Sequence, residues 1–149
     1  MPIDYRRAAV REIAPETLYR ILWLRVGVFV VEQAAAYPEL DGRDIEPDAE
    51  LLWADEDGEV VATLRVLHDG DVARIGRVAT ATAARGRGVA AELMRRAVAR
   101  ADERWPGHPI VLDAQRHLAD WYARFGFVVS GAGFEEDGIP HVPMRRHTP

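Results

Sequence analysis

The stretch Arg85-Gly86-Arg87-Gly88-Val89-Ala90 has the residue types of a pyrophosphate cradle. Gly88 lets the backbone approach a ligand with no Cβ in between. Where a helix begins, the first amide N–H groups lack internal acceptors, and the helix dipole adds partial positive charge. The flanks supply that setting. Asp71–Thr80 is a strand-like run rich in Val and Ile, and Ala90–Arg104 is made largely of helix formers. Strand, glycine loop and helix in this order predict a site for a phosphorylated cofactor.

Absent residue types narrow the chemistry further. The chain has no Cys, no Lys and no Asn, and its only serine is Ser130. A thiol nucleophile, a disulfide framework, a cysteine zinc site and a Schiff-base lysine are therefore excluded. A P-loop needs a lysine after its last glycine, so nucleotide kinase and NTPase readings fail. Ser130 lies in Val129-Ser130-Gly131, which is not a nucleophile elbow. Direct group transfer, or binding alone, is what remains. No metal is expected.

The 149 residues suit one domain, 1–149, with a full core. Apolar residues make up 48% and charged residues 29%, which argues for a folded globular chain and against disorder. The formal net charge of −5 gives nucleic-acid binding no electrostatic support. The start, MPIDYRRAAVREI, has no apolar core, and Leu18–Val31 is interrupted by Arg20 and Arg25. A cytoplasmic protein without a membrane partner is the expectation.

The elements follow from periodicity. Glu16–Val28 places Leu18, Ile21, Leu22 and Arg25 at helical spacing, and Phe29–Val31 reads as extended. Residues 33–50 form an acidic loop broken by Pro and Gly. Leu51–Ala54 and Glu59–Leu67 read as strands joined at Asp55–Gly58, and with Asp71–Thr80 they give a three-stranded antiparallel meander. The helix over 90–104 turns Ala90, Leu93, Met94, Ala97 and Ala101 to one side, and Pro109–Leu112 is a short buried strand. A helix over Gln115–Phe125 aligns Leu118, Trp121, Tyr122 and Phe125 and ends at Gly126. Phe127–Val129 starts a strand, Gly131–Pro140 is a loop, and His141–Arg145 is extended. The four tryptophans read as packing residues, with a place in the acceptor cleft left open for one of them.

This order, with Arg-x-x-Gly-x-Ala at Arg85–Ala90, resembles the GNAT superfamily of acyl-CoA-dependent N-acyltransferases. Tyr122-Ala123-Arg124-Phe125-Gly126-Phe127 resembles the family's later signature, a helix tyrosine shortly before Gly-Phe. Leu24-Arg25, Val28–Gln33, Tyr37, Glu39, Asp41-Gly42, Asp113–Gln115 and Glu136–His141 are similar to the ElaA-like branch. Ala34–Ala36 departs from that branch, which commonly carries a cysteine there. The resemblance implies an α+β fold: a mixed, mostly antiparallel sheet flanked by helices, with a central strand–loop–helix acyl-CoA site.

It also implies roles for particular residues. The amides of Arg85, Gly86, Arg87, Gly88, Val89 and Ala90 hold the pyrophosphate of acetyl-CoA. Val78, Ala79 and Thr80 pair with the pantetheine arm, and the Val78 amide meets the thioester oxygen. Tyr122 is the acid for the leaving thiolate, although by spacing alone it reads first as a core aromatic. Gln115 either reaches the pantetheine or caps a helix. For the general base Glu32, Glu39, Asp41, Glu136, Asp137 and His141 are candidates, with Glu32 and His141 preferred. The acidic loop is either a solvated segment or an attractor for a cationic acceptor. The implied reaction moves acetyl from acetyl-CoA to a small-molecule or protein amine by direct attack in a ternary complex, and leaves room for a homodimer. The alternative is a CoA-binding regulatory module without turnover.

Overall fold

A computed structural model of the chain describes residues 2–35 and 37–147. The first strand, β1 (Asp4–Ala8), pairs antiparallel with β2 (Glu50–Glu56), which pairs antiparallel with β3 (Glu59–Asp69). β4 (Val72–Thr80) completes the expected three-stranded antiparallel meander β2–β3–β4, to which β1 adds an edge strand. β1 is an edge strand whose residues are mostly exposed, so it carries no apolar alternation to betray it.

The sheet goes on through β5 (Ile110–Gln115), parallel to β4, and β8 (Ile139–Arg146), antiparallel to β5. Both β6 (Val128–Val129) and β7 (Phe134–Glu136) pair with β8. Asp137 and Gly138 form the two-residue turn from β7 to β8, with φ of 51° and 79°. This is the turn geometry that an Asp-Gly pair favours between twisted strands. The expected loop over Gly131–Pro140 is thus largely a hairpin.

Helices cover both faces of the sheet. α1 (Pro15–Val26) lies on one side, where Ile21 packs with Leu51, Trp53 and Val60. α2 (Val89–Arg104) lies on the other, where Val89, Leu93, Met94, Ala97 and Ala101 pack with Leu52, Leu64, Val66 and Ile75. Alternate residues of β2 feed the two cores, which is why the strand reads as a continuous apolar run. Val89 takes the place in the buried stripe that the helical pattern gives to Ala90.

Two helical expectations are corrected. Gly27–Glu32 continues α1 as a π-helical turn and is not extended. Its Val-rich composition favours a strand, but the segment stays helical and buries Val28. Gln115 belongs to β5, so the helix over Gln115–Phe125 is reduced to a 3-10 turn, Arg116–Leu118, and α3 (Ala119–Ala123). Among the described residues no helix is long and apolar enough to cross a membrane.

Candidate active site

β4 and β5 pair only at Ala73–Ile110 and Arg74–Val111, although β4 runs on to Thr80 and β5 to Gln115. Beyond Arg74 the strands part. A cleft of about 460 Å³ opens there, lined by Ile75, Gly76 and Val78 on one side and Leu112, Asp113 and Gln115 on the other. The pairing of β3 with β4 breaks at the same place: Arg65 faces Gly76 and Thr63 faces Ala79, leaving Arg77 and Val78 opposite Leu64. This is a β-bulge, with Arg77 at φ 51°. A bulge takes one residue out of the ladder and re-aims the local backbone. Here it does so on the cleft wall, at Val78.

The glycine loop follows β4 directly. Gly88 is the N-cap of α2 at φ 78°, and no side chain caps this 16-residue helix. The first helical amide to find an acceptor is that of Glu92, bonded to the Gly88 carbonyl. The N–H groups of Val89, Ala90 and Ala91 therefore precede the helical ladder. Gly86, at φ 75°, and Gly88 both have open space where a Cβ would stand. An uncapped helix N-terminus, an open glycine approach and an unpaired strand edge together fit a phosphorylated, extended acyl carrier. Arg85 and Arg87 already have partners, however. Arg85 grips both Glu32 oxygens at 2.7 and 2.8 Å and donates to the Thr80 carbonyl, and Arg87 grips Glu56.

Tyr122 lines the cleft from α3, is 7% exposed, and packs edge-on against Trp121 and Phe127. Burial pushes its phenol up to about 12, so it stays protonated and able to donate. His141 faces Gln115 across the β5–β8 pairing, and both line the cleft. His141 Nδ1 lies 2.7 Å from the Ile139 carbonyl, an acceptor only, so Nδ1 carries the proton. In the neutral ring Nε2 is then a lone-pair acceptor, 3.9 Å from Glu136 and out of hydrogen-bond reach. Gln115 donates to the Gln33 side chain and caps no helix.

The remaining base candidates separate. Glu32 is outside this cleft. It lines a second groove with Trp23 and Thr82, and its hydrogen bonds from Arg85 lower its pKa. Glu136 and Asp137 sit on the β7–β8 hairpin at the mouth of the main cleft. Glu39 and Asp41 are held by arginines, and the Arg65 bonds keep the Asp41 carboxyl well below the usual range.

The carboxylates of the acidic loop are engaged by arginines, some of them buried and others, such as Asp48, still open to solvent. Each carboxylate from Glu39 to Glu50 meets an arginine: Glu39 and Asp44 on Arg25, Asp41 on Arg65, Glu46 on Arg43, Asp48 on Arg104 and Glu50 on Arg100. Arg25, Arg65 and Arg77, none of them expected as site residues, organise this segment. Sequence offered one signal: arginine inside an otherwise apolar helix and strand. Trp23, expected to pack, is 67% exposed. Of Ala34–Ala36, Ala36 lies outside the described residues.

The splayed central strands, the bulge and the glycine-capped helix define a GNAT fold, and residues 16–148 match the family described as acetyltransferase (GNAT) domain. The chain belongs to that family. It is 39% identical to protein ElaA of Escherichia coli over 97% of this chain and 96% of the relative. It is 46% identical to a UPF0039 protein of Mycobacterium tuberculosis over 95% of this chain and 91% of the relative. Among solved structures, an acyl-CoA N-acyltransferase from Pseudomonas aeruginosa superposes with a TM-score of 0.92 at 40% identity, covering 97% and 99% of the two chains. Escherichia coli ElaA superposes with a TM-score of 0.92 at 36% identity and the same coverage.

Proposed function

We propose that this protein transfers an acetyl group from acetyl-CoA to a primary amine by direct attack within a ternary complex. The observation that carries the reading is the parting of β4 from β5 beside an uncapped α2, with Tyr122 and His141 in the same cleft. When bound, acetyl-CoA supplies an acyl group activated as a thioester. The amides from Gly86 to Ala90 hold its phosphates, and Val78 to Thr80 orient the acyl arm along the free strand edge. The Val78 amide donates to the carbonyl oxygen as charge develops there, a role preorganised donors perform in a dry cleft.

An amine acceptor is protonated at neutral pH and must lose a proton before it attacks. His141 is our choice of base, supported by its acceptor Nε2 and its place in the cleft. Glu32 is the weaker choice because Arg85 occupies both its oxygens. Tyr122, kept neutral by burial, donates a proton toward the departing sulfur. Tyr122→Phe keeps the packing and removes that proton, so turnover falls by about a hundredfold, within the usual range for a general acid. Affinity for CoA stays within about twofold, which calorimetry checks; unchanged turnover would remove the role given to Tyr122.

Ligand-induced stabilisation tests the reading. At about 100 times its Kd, acetyl-CoA stabilises the fold by about 2.7 kcal/mol. For a chain of this size that raises the melting temperature by roughly 5–10 °C. ATP and NAD, which lack the pantetheine arm, give smaller shifts. No shift with acetyl-CoA would sink the proposal.

A further inference from the structure

We infer that Arg77 is a positioning residue: it locks the β4 bulge so that the Val78 amide has one orientation toward the cleft. The inference rests on the acyltransfer reading for its consequence, but not for its geometry. Arg77 has φ 51°, in a region that residues with a Cβ adopt only when their surroundings hold them there. The holding contacts all come from one segment. Arg77 Nε lies 2.6 Å from Glu39 Oε1, and Nη2 donates to the Glu39 carbonyl at 3.1 Å and to Asp41 at 3.3 Å. The guanidinium also lies over the Tyr37 ring, 5.2 Å from its centre.

Those partners are themselves fixed. Arg25, 1% exposed, bonds Glu39 and Asp44, and Arg65, 5% exposed, grips both oxygens of Asp41. A string of charges, buried at Arg25, Glu39, Asp44 and Arg65 and partly exposed at Asp41 and Arg77, thus runs from α1 through residues 39–44 to β4, and ends on the bulge. Buried ion pairs contribute little net stability compared with well-packed apolar groups, so stability alone is a poor account of such a string. A network that over-determines one strained backbone position does account for it. The same contacts tie the cleft wall at Tyr37 to the strand that carries Val78.

Arg77→Gly tests this, because glycine tolerates the positive φ and keeps the bulge while the clamp is lost. Arg77→Lys, which keeps the charge opposite Glu39, and Asp41→Asn serve as further variants of the full chain. The first readout needs no turnover: the backbone amide of Val78 in 15N-labelled protein. It gives one sharp resonance in the wild type and, beyond the shift that any change at a neighbouring residue brings, an exchange-broadened one in Arg77→Gly and in Asp41→Asn, which leaves the sequence around Val78 intact. The second readout is thiol release from acetyl-CoA. Its kcat falls by about a hundredfold in Arg77→Gly, as when an oxyanion donor is misplaced. KM for acetyl-CoA stays within about twofold, and Arg77→Lys recovers part of kcat. A Val78 resonance as sharp as the wild type's in both Arg77→Gly and Asp41→Asn, or an unaltered kcat in Arg77→Gly, overturns the inference. If the wild type releases no thiol with any amine, the acyltransfer reading falls instead, and the Val78 resonance alone decides what Arg77 does.

Discussion

Replacing Arg25 with methionine is expected to cost about 3–5 kcal/mol, the usual penalty for removing one partner of a buried ion pair. Arg25 is 1% exposed and serves two carboxylates: it meets Glu39 at 2.9 Å and Asp44 at 2.7 Å. Methionine fills the space of the aliphatic stem but, among the described residues, leaves Asp44 to Arg65 at 3.5 Å and Glu39 to Arg77. Domains of this kind are stable by about 5–15 kcal/mol in total, so the loss is a large share. Urea unfolding measures it. Burial already raises the Glu39 carboxyl above its ordinary 4.5, and loss of the Arg25 charge raises it further. A folded state that binds the extra proton gains stability as pH falls. The penalty therefore shrinks from pH 7 toward pH 5. A penalty under about 1 kcal/mol, the range of exposed pairs, would show that the network is not buried as described.

Gly88→Glu is expected to lower CoA affinity by at least a hundredfold, about 2.7 kcal/mol or more. Two effects combine. At φ 78° any side chain is strained, at roughly 1–2 kcal/mol, but its Cβ would meet nothing within 4 Å. The fold therefore survives. The added carboxylate then stands among the open amides of Val89–Ala91, and each like charge at 4–6 Å costs about 3–4 kcal/mol at an effective dielectric near 20. Gly88→Ala has the strain without the charge, so it loses much less. Calorimetric titration with CoA separates the two variants, and equal affinities would mean that the loop is not the phosphate site.

How much of this was legible depended on how far apart the partners lie. The Asp57-Gly58 turn, the apolar runs of β2 and β3 and the helix after Gly88 are local features, and each was readable from a short window. The cleft was readable only through resemblance, because its two walls are Val78 and Gln115, on strands joined through a helix. β1 and β7 escaped because short exposed edge strands carry no alternation. Gly27–Glu32 misled because Val-rich composition favours strands, yet the segment stays helical and buries Val28. The pairing of the acidic loop is hidden in sequence for a further reason. Apart from Glu46, its carboxylates pair with arginines 14 to 56 positions away, as in Arg25–Glu39 and Arg104–Asp48. Charge patterning along the chain cannot show that neutralisation.

The cleft between β4 and β5 has an acid, a base and an oxyanion donor only if an amine enters from one side and an acyl thioester from the other. The most direct test is thiol release from acetyl-CoA across a panel of small amines, lysine-containing peptides and peptide N-termini. A thiol reagent serves as the reporter, and with no cysteine in the chain the protein adds no background. The account predicts release that requires both protein and a particular amine, and that stoichiometrically matches the acetylated product. Tight CoA binding with no amine-dependent release on any member of the panel would contradict it, and would leave a CoA-binding module in place of an enzyme.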